Sequence, residues 1–135
     1  MTTILDGKKL RDKIIENLKA KVDTFEEKPT LVVILVGENP ASKTYVNNKK
    51  KMAEKIGIHS EVINYPASIT EAELLDKIEE LNNSKKVTAI LVQLPLPKHI
   101  SKDNVINKII PSKDVDGFTP YNFGKLFSGE TPTVY

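Results

Sequence analysis

The sequence of 135 residues contains no cysteine and only two histidines. Without cysteine the chain has neither a disulfide nor a cysteine nucleophile, and this composition is typical of a reducing compartment. His59 and His99 do not have metal-ligand spacing with each other or with carboxylates, so we predict no metal site. We expect both histidines to be ordinary loop or strand-edge residues.

The sequence also lacks long apolar runs and a large excess of either charge. No apolar run approaches the roughly 18 residues that a membrane span needs, and the amino terminus has no signal-peptide core. The 20 basic and 18 acidic residues are mixed along the chain and leave a formal charge of +2. The basic cluster Lys49–Lys51 is more typical of a solvated helix flank than of a phosphate-binding patch. We therefore predict a cytoplasmic protein that binds neither membrane nor nucleic acid.

The hydrophobic residues, 39% of the chain, suffice for one core of ordinary domain size. A continuous apolar segment, Leu31–Val36, predicts a strand buried on both faces, as in a parallel sheet. Before it, apolar residues recur near helical period from Asp6 onward, which predicts a long packing helix that ends before Pro29. The recurring residues are Leu10, Ile14, Leu18, Val22 and Phe25.

Helices and strands alternate in the following part of the chain. Asn39 and Pro40 begin a helix that Gly57 ends, and a strand follows at about residues 61–65. Thr70 and Glu73 form a capping box for the next helix, and a third strand covers residues 87–92. The alternation predicts an α/β fold, namely a three-layer αβα domain with a mainly parallel sheet built from right-handed βαβ units. The apolar face of the helix after the capping box contains Leu74, Leu75, Ile78 and Leu81.

Lys49 is the one charged residue on what we predict to be the inward face of the second helix. Residues four apart share a helical face, and a lysine that faces inward needs a chemical reason. The alternative interpretation is that Lys49 lies at the edge of this face and extends its amine to water. The predicted inward stripe consists of Tyr45, Lys49, Met52, Ala53 and Ile56.

A polar residue, Gln93, directly follows the predicted third strand. In parallel α/β sheets ligands bind outside the carboxyl ends of the strands, which places Gln93 on the same edge as the residues after Gly37. The side chain of Gln93 therefore either faces a cleft or satisfies itself against the backbone.

Two aspartates, Asp114 and Asp116, precede Gly117. Asp before Gly is common in turns, so a purely structural turn is one interpretation of this segment. Its spacing does not match an EF-hand, which needs more oxygen donors and a distal Glu.

Three segments occur in the order, and with about the separations, of one known family: Tyr45–Lys49, Val92–Pro97 and Lys113–Phe118. The chain resembles the amino-terminal catalytic domain of the bifunctional methylenetetrahydrofolate dehydrogenase / methenyltetrahydrofolate cyclohydrolase family. The resemblance extends over essentially the whole chain and includes Asp6 and Gly7. It implies that residues 1–135 form one folate-binding catalytic domain.

The resemblance implies two reactions for the full-length protein in one-carbon metabolism, which serves purine biosynthesis. The first is the NADP-dependent oxidation of 5,10-methylenetetrahydrofolate to 5,10-methenyltetrahydrofolate. The second is hydrolysis of that product to 10-formyltetrahydrofolate. The resemblance thus implies a small-molecule folate substrate, NADP as cofactor and a homodimer for the full-length protein, whereas we expect the fragment to be a monomer.

The resemblance also implies roles for single residues. Lys49 matches the catalytic lysine, Tyr45 the residue that stacks on the folate ring, and Gln93 the amide that holds the lysine. Asp116 matches the carboxylate that binds the pterin nitrogens, and we expect Asp114 to brace the turn. An amine in a cleft can move protons during attack of water, and its charged form can instead oppose positive charge nearby or stabilise a developing oxyanion; both roles stay open for Lys49. A carboxylate suits adjacent N–H donors. The predicted catalytic residues are Lys49, Tyr45, Gln93 and Asp116. The predicted substrate-binding residues are Tyr45, Val46, Asn47, Asn48, Lys49, Val92, Gln93, Leu94, Pro95 and Asp116.

The sequence departs from the family pattern in its glycines and its length. None of the six glycines forms the Gly-rich turn that receives a pyrophosphate at a helix amino terminus, so we expect the C-terminal NAD(P)-binding Rossmann domain to be absent. The chain stops at Thr131–Tyr135, where family members continue, and we expect a truncated form. We predict no dehydrogenase activity and weak or absent cyclohydrolase activity for the 135-residue chain.

Two other functions stay open. A receiver-like signalling module of similar α/β build needs acidic residues at strand ends to hold a metal, whereas Gly37 and Gln93 follow the first and third predicted strands. The second is a folate- or partner-binding α/β module without chemistry. Calorimetric titration with a folate analogue would separate these two, because a signalling module would show no heat of binding.

Overall fold

Three strands form a parallel sheet in the order β2-β1-β3. In the computed structural model, which describes residues 5–131, β1 is Thr30–Val36, β2 is His59–Tyr65 and β3 is Ala89–Val92. β1 lies in the centre because its apolar side chains are buried on both faces, as the sequence predicts. Of the segment predicted to mark a truncation, residues 132–135 lie outside the described residues.

Helices precede, connect and follow the strands. Asn39 caps the second helix by accepting a hydrogen bond from the N–H of Ser42, and Pro40 is the first residue of that helix. Thr70 and Glu73 form the predicted capping box of the third. Within residues 5–131 the helices are α1 (Gly7–Asp23), α2 (Pro40–Lys55), α3 (Glu71–Asn83), α4 (Lys102–Lys108) and α5 (Pro120–Ser128), with a 3-10 turn at Pro111–Lys113.

The helices cover both faces of the sheet. On one face α2 packs Val46 against Val33 and Leu35 of β1. On the other face α3 and α4 pack against the alternate side chains of β1, and the fully buried residues of this larger core include Val32, Ile34, Leu74, Ile78 and Val105. The predicted three-layer α/β architecture is confirmed.

The first helix is present as predicted, but its predicted apolar stripe is largely exposed. Leu10 and Ile14 are 60% and 47% exposed, and Ile15 is buried instead. The side of the helix that meets the domain is the one with Ile15 and Val22, and Val22 packs beside Gly57. Helical period was therefore a correct guide to the helix and a wrong guide to its burial.

Candidate functional site

The carboxyl ends of β1 and β3 meet at one edge of the sheet. Gly37 ends β1 with a φ of +84°, and this conformation lets the chain turn into α2. Gln93 directly follows β3, and its backbone N–H donates to the carbonyl of Ile34 at 2.9 Å. The Nζ of Lys49 on α2 lies 3.3 Å from Oε1 of Gln93. The contact predicted between these two side chains, 44 positions apart in sequence, is therefore present.

The side-chain amide of Gln93 is held at both ends. Its Nε2 donates to the carbonyl of Leu94 at 2.8 Å, so Oε1 remains to accept from Lys49. The chain then continues through a cis peptide bond between Leu94 and Pro95, and Pro95 is exposed at the edge. The orientation of the amide is thus fixed by the backbone beside it and not by the lysine alone.

Lys49 is half-buried and forms no ion pair among the residues that the structure describes. The next residue, Lys50, lies 3.9 Å from Glu54 and is an ordinary surface ion pair. Lys49 nevertheless influences Asp116 through its charge. Burial raises the pKa of Asp116 above its ordinary value, the positive charge of Lys49 opposes this shift, and the negative charge of Asp114 adds to it.

Asp116 has a raised pKa although its side chain is exposed. By surface area the residue is exposed, yet it also lines a small cavity beside β3. Most of the other side chains around this cavity are apolar, and they displace water from one side of the carboxylate. We attribute the raised pKa to this one-sided loss of water. The cavity is lined by Ile90, Leu91, Val92, Leu94, Val105, Ile106, Ile109, Asp114, Asp116 and Phe118.

The predicted inward stripe of α2 is correct for Ala53 and wrong for Tyr45 and Met52. Tyr45 is 60% exposed and Met52 is 41% exposed, whereas Ser42, Val46 and Ala53 are buried. The small and β-branched residues of the latter set fit closely against β1, so the helix turns that face toward the sheet. Lys49 consequently lies at the border of the buried face, which was the alternative interpretation, and its amine reaches Gln93 from there.

The other residues predicted to bind substrate do not form one surface. Val46 and Val92 are 2% and 8% exposed and belong to the core, so their side chains are not available to a ligand. Asn47 lines a polar depression between α2 and β2, together with Lys43, Lys50 and Asn64. That depression lies on the opposite side of α2 from Gln93. Asn48 is exposed and, like Tyr45, is open to solvent.

Asp114 has the structural role that we predict for it. It is 3% exposed, and its carboxylate accepts hydrogen bonds from the N–H of Phe118 at 3.2 Å, the N–H of Thr119 at 2.8 Å and Nδ2 of Asn122 at 3.1 Å. Burial by itself would raise the pKa of Asp114, but the hydrogen bonds from Thr119, Asn122 and Phe118 outweigh it, and the pKa is lowered.

Lys113 has a role that the sequence reasoning missed. Its Nζ donates to the carbonyls of Leu81, Asn82 and Ser84 at 2.7 to 2.8 Å. A lysine at the carboxyl end of a helix satisfies carbonyls that have no partner within the helix and opposes the negative end of the helix dipole. Burial lowers the pKa of Lys113. Since its three acceptors are about 30 positions away in the chain, nothing local in the sequence indicated this contact.

The histidines lie where the sequence predicts. His59 is the exposed first residue of the edge strand β2, and His99 lies in the loop after β3 with Nε2 2.8 Å from the carbonyl oxygen of Ile69. Within residues 5–131, no group of three His, Cys, Asp or Glu side chains could hold a metal ion. No helix in the same part of the chain is long and apolar enough to cross a membrane.

The fold is thus that of an α/β domain with a parallel sheet, and it places a lysine, an amide and a carboxylate near the carboxyl edge, where such sheets bind ligands. Residues 5–116 match the model of the family described as tetrahydrofolate dehydrogenase/cyclohydrolase, catalytic domain. The chain belongs to this family.

Several named proteins are similar to the chain. The bifunctional protein FolD of Nautilia profundicola is 52% identical over 130 residues, which are 94% of this chain and 46% of that protein. The crystal structure of FolD from Campylobacter jejuni has a TM-score of 0.92 and 51% identity, and the match covers 95% of this chain and 46% of that one. The Trypanosoma brucei dehydrogenase-cyclohydrolase, solved with NADP and an inhibitor, has a TM-score of 0.91 and 32% identity. This match covers 98% of this chain and 47% of that one. The chain thus spans about half the length of these relatives.

Proposed function

We propose that this chain is the folate-binding half of an enzyme of one-carbon metabolism. The whole enzyme would oxidise 5,10-methylenetetrahydrofolate to 5,10-methenyltetrahydrofolate and hydrolyse the product to 10-formyltetrahydrofolate. The observation that carries the proposal is the contact between Lys49 and Gln93 near Asp116, in a chain that belongs to the tetrahydrofolate dehydrogenase/cyclohydrolase family.

Lys49 is proposed to move protons in the hydrolysis. Water adds to the carbon that bridges N5 and N10 and gives up one proton, which Lys49 would help to transfer, so that a hydroxyl group remains on this carbon. The bond between this carbon and N5 then breaks while the hydroxyl group loses its proton and N5 takes one up, and the carbon remains on N10 as a formyl group. Gln93 supports this role because its amide, fixed by Leu94, holds the amine in one position.

Asp116 and Tyr45 are proposed to bind the pterin ring. A carboxylate offers two oxygens, which match the adjacent amino and ring N–H groups of a pterin. Among the described residues the side chain of Asp116 has no hydrogen-bond partner, so both oxygens are available. Tyr45 lies on the same side of α2 as Lys49, four positions earlier. Its ring is exposed and could stack on an aromatic ligand.

The residues of this chain do not fit the pyrophosphate of NADP. A single glycine, Gly37, stands in the turn between β1 and α2, and the side chain of Asn39 already accepts from the first turn of α2. A dinucleotide turn instead leaves these N–H groups to the phosphate. We propose that NADP is bound by the part of the relatives that this chain does not span.

The proposal extends to the domain boundaries, the oligomeric state and the cellular location of the protein. Residues 1–135 would form the folate-binding domain, and a homodimer would be built through the other half of the full-length protein, so that this chain alone is a monomer. The absence of cysteine supports a cytoplasmic location. The balanced charge supports a protein without a nucleic acid partner. Light scattering of the purified chain tests the monomer, and a stable dimer would contradict it.

Calorimetric titration with 5-formyltetrahydrofolate tests folate binding. We expect a measurable heat of binding with the unmodified chain, weaker binding for Lys49→Ala, and unchanged binding for Lys51→Ala. Lys51 is a matched control because it lies on the same helix, is exposed and forms no ion pair among the described residues. A chain that binds no folate, or two lysine variants with equal affinity, would contradict the proposal.

Enzyme assays separate catalysis from binding alone. With 5,10-methenyltetrahydrofolate, we expect a slow loss of absorbance or none, because half of the relatives' length is missing from the chain. With methylenetetrahydrofolate and NADP, we expect no NADPH. Folate binding without hydrolysis is thus the result expected for this chain alone, whereas rapid hydrolysis that Lys49→Ala abolishes would show that half the protein suffices.

A further inference from the structure

The turn from Asp114 to Thr119 carries one buried and one exposed carboxylate. Asp114 points inward and closes the turn, because it accepts from the backbone N–H groups of Phe118 and Thr119, four and five positions later. Asp116 lies between the residues that these bonds join, and its side chain is exposed. Gly117 adopts a φ of +68°, a conformation that suits glycine and lets the chain reverse.

The base of this turn is fixed to three other elements. Lys113 joins it to the carboxyl end of α3 through three carbonyls. A backbone bridge pairs Asp114 with Ile90 of β3. Asn122 of α5 donates to both Asp114 and the carbonyl of Pro111. The backbone on either side of Asp116 is therefore immobilised by contacts that converge on Asp114.

We propose that Asp114 is a positioning residue for Asp116: its buried carboxylate holds the turn in the one shape that places the Asp116 carboxylate near Lys49 for a ligand to use. This inference rests on the proposed function, since it assigns Asp116 to folate binding. A residue that only braces the turn would affect stability. In this proposal Asp114 also affects ligand affinity, and it does so only when Asp116 is present.

The charges of the site support the same coupling. Of the charged groups around Asp116, Lys49 comes from α2 and Asp114 from its own turn. The negative charge of Asp114 raises the pKa of Asp116, and the positive charge of Lys49 lowers it. Removing the charge of Asp114 should therefore lower the pKa of Asp116.

A double-mutant cycle tests the proposal with 5-formyltetrahydrofolate as the probe and chemical-shift titration as the measure of affinity. The variants are Asp114→Asn, Asp116→Asn and the double substitution. We expect Asp116→Asn to weaken binding about tenfold, the scale of one lost hydrogen bond to a charged group. We expect Asp114→Asn to weaken it several-fold, and the double variant to bind no more than about twofold more weakly than Asp116→Asn alone.

Multiplicative losses in the double variant, or normal affinity in Asp114→Asn, would overturn the proposal. If Asp114→Asn does not fold by circular dichroism, Asn122→Ala takes its place in the cycle, because it removes one donor and leaves the Asp114 carboxylate. The same criterion of non-additivity then applies. Asp76→Asn is the control for the change of charge, since Asp76 is exposed on α3, and its affinity should match that of the unmodified chain.

A ligand-free measurement separates failure of this inference from failure of the proposed function. Carbon-detected titration of the Asp116 carboxyl group should give a lower pKa in Asp114→Asn than in the unmodified chain. In Asp114→Glu, which keeps the charge and changes the geometry of the turn, folate affinity should fall as in Asp114→Asn, because Asp116 is no longer held in place. An equal pKa in Asp114→Asn and the unmodified chain would overturn the inference whether or not folate binds. Absence of folate binding with the expected pKa change would overturn the proposed function alone.

Discussion

Two polar regions of this domain use the same residue types in opposite ways. In the first, the anchor, Lys113 donates to three carbonyls and Asp114 accepts three hydrogen bonds. In the second, the rim, Lys49 donates one bond at 3.3 Å and Asp116 has no hydrogen-bond partner among the described residues. The anchor holds the fold together, whereas the rim keeps hydrogen-bonding capacity for a ligand. The role of a lysine or aspartate at a sheet edge can therefore be inferred from the number of hydrogen bonds that it already forms within the protein.

The largest loss of stability is expected from a substitution of Lys113 in the anchor. We expect Lys113→Met to lower the free energy of unfolding by about 3 kcal/mol, because it removes the charged donor that three carbonyls at the end of α3 share, two of which keep only a long backbone hydrogen bond. Chemical denaturation measures the loss. Lys85→Met, at an exposed position nearby, is the control and should lose less than about 0.5 kcal/mol. Equal losses for the two variants would show that Lys113 is not part of an anchor.

The second largest effect is expected at Asp114. Asp114→Asn should lose about 2 kcal/mol at neutral pH, because an amide replaces a carboxylate that accepts three hydrogen bonds. The pKa of Asp114 is lowered in the folded protein, so its stabilisation is present above the unfolded pKa of about 4 and is lost as the pH falls through the folded pKa. Unfolding measured at several pH values should show the two proteins converging in acid. A difference that grows in acid would contradict this assignment.

Asp116 should behave in the opposite way. Its pKa is raised in the folded protein, so the charged form costs stability above the folded pKa, and this cost disappears as the pH falls below the unfolded pKa. We expect Asp116→Asn to gain a few tenths of a kcal/mol at neutral pH, a small value because solvent screens an exposed carboxylate. Thermal unfolding near pH 7 is the measurement. A clear loss of stability would place Asp116 in the anchor.

The smallest effect is expected at Lys49. Lys49→Met should change the free energy of unfolding by less than about 0.5 kcal/mol, since it removes one long hydrogen bond at the protein surface. Denaturation of this variant beside Lys113→Met compares the two lysines directly. A loss at Lys49 as large as that at Lys113 would mean that Lys49 is kept for the fold and not for a ligand.

Local patterns were sufficient for the central elements of the fold. The apolar run of β1, the cap at Asn39 and the capping box at Thr70 are short-range signals, and the structure confirms each of them. Ser101 and Thr119 are cap residues of the same kind, and Pro120 follows the latter. These signals could have revealed α4 and α5, which the sequence reasoning missed.

The details of burial and the anchor required the three-dimensional structure. Helical period places Tyr45 and Lys49 on one side of α2, but it does not predict which side packs against the sheet. In the structure the side with Val46 packs against β1. The bonds of Lys113 join positions about 30 apart, which no local pattern encodes. The contact between Lys49 and Gln93 was predicted through the family resemblance and the rule for sheet edges, and not from spacing alone.

Chemical-shift mapping of 5-formyltetrahydrofolate binding tests the distinction between rim and anchor most directly. We predict that the amide signals of Tyr45, Lys49, Gln93 and Asp116 shift during the titration. The side-chain signals of Lys113 and Asn122 should stay in place. Shifts centred on the depression around Asn47 and Asn64, or no shifts at all, would contradict the account.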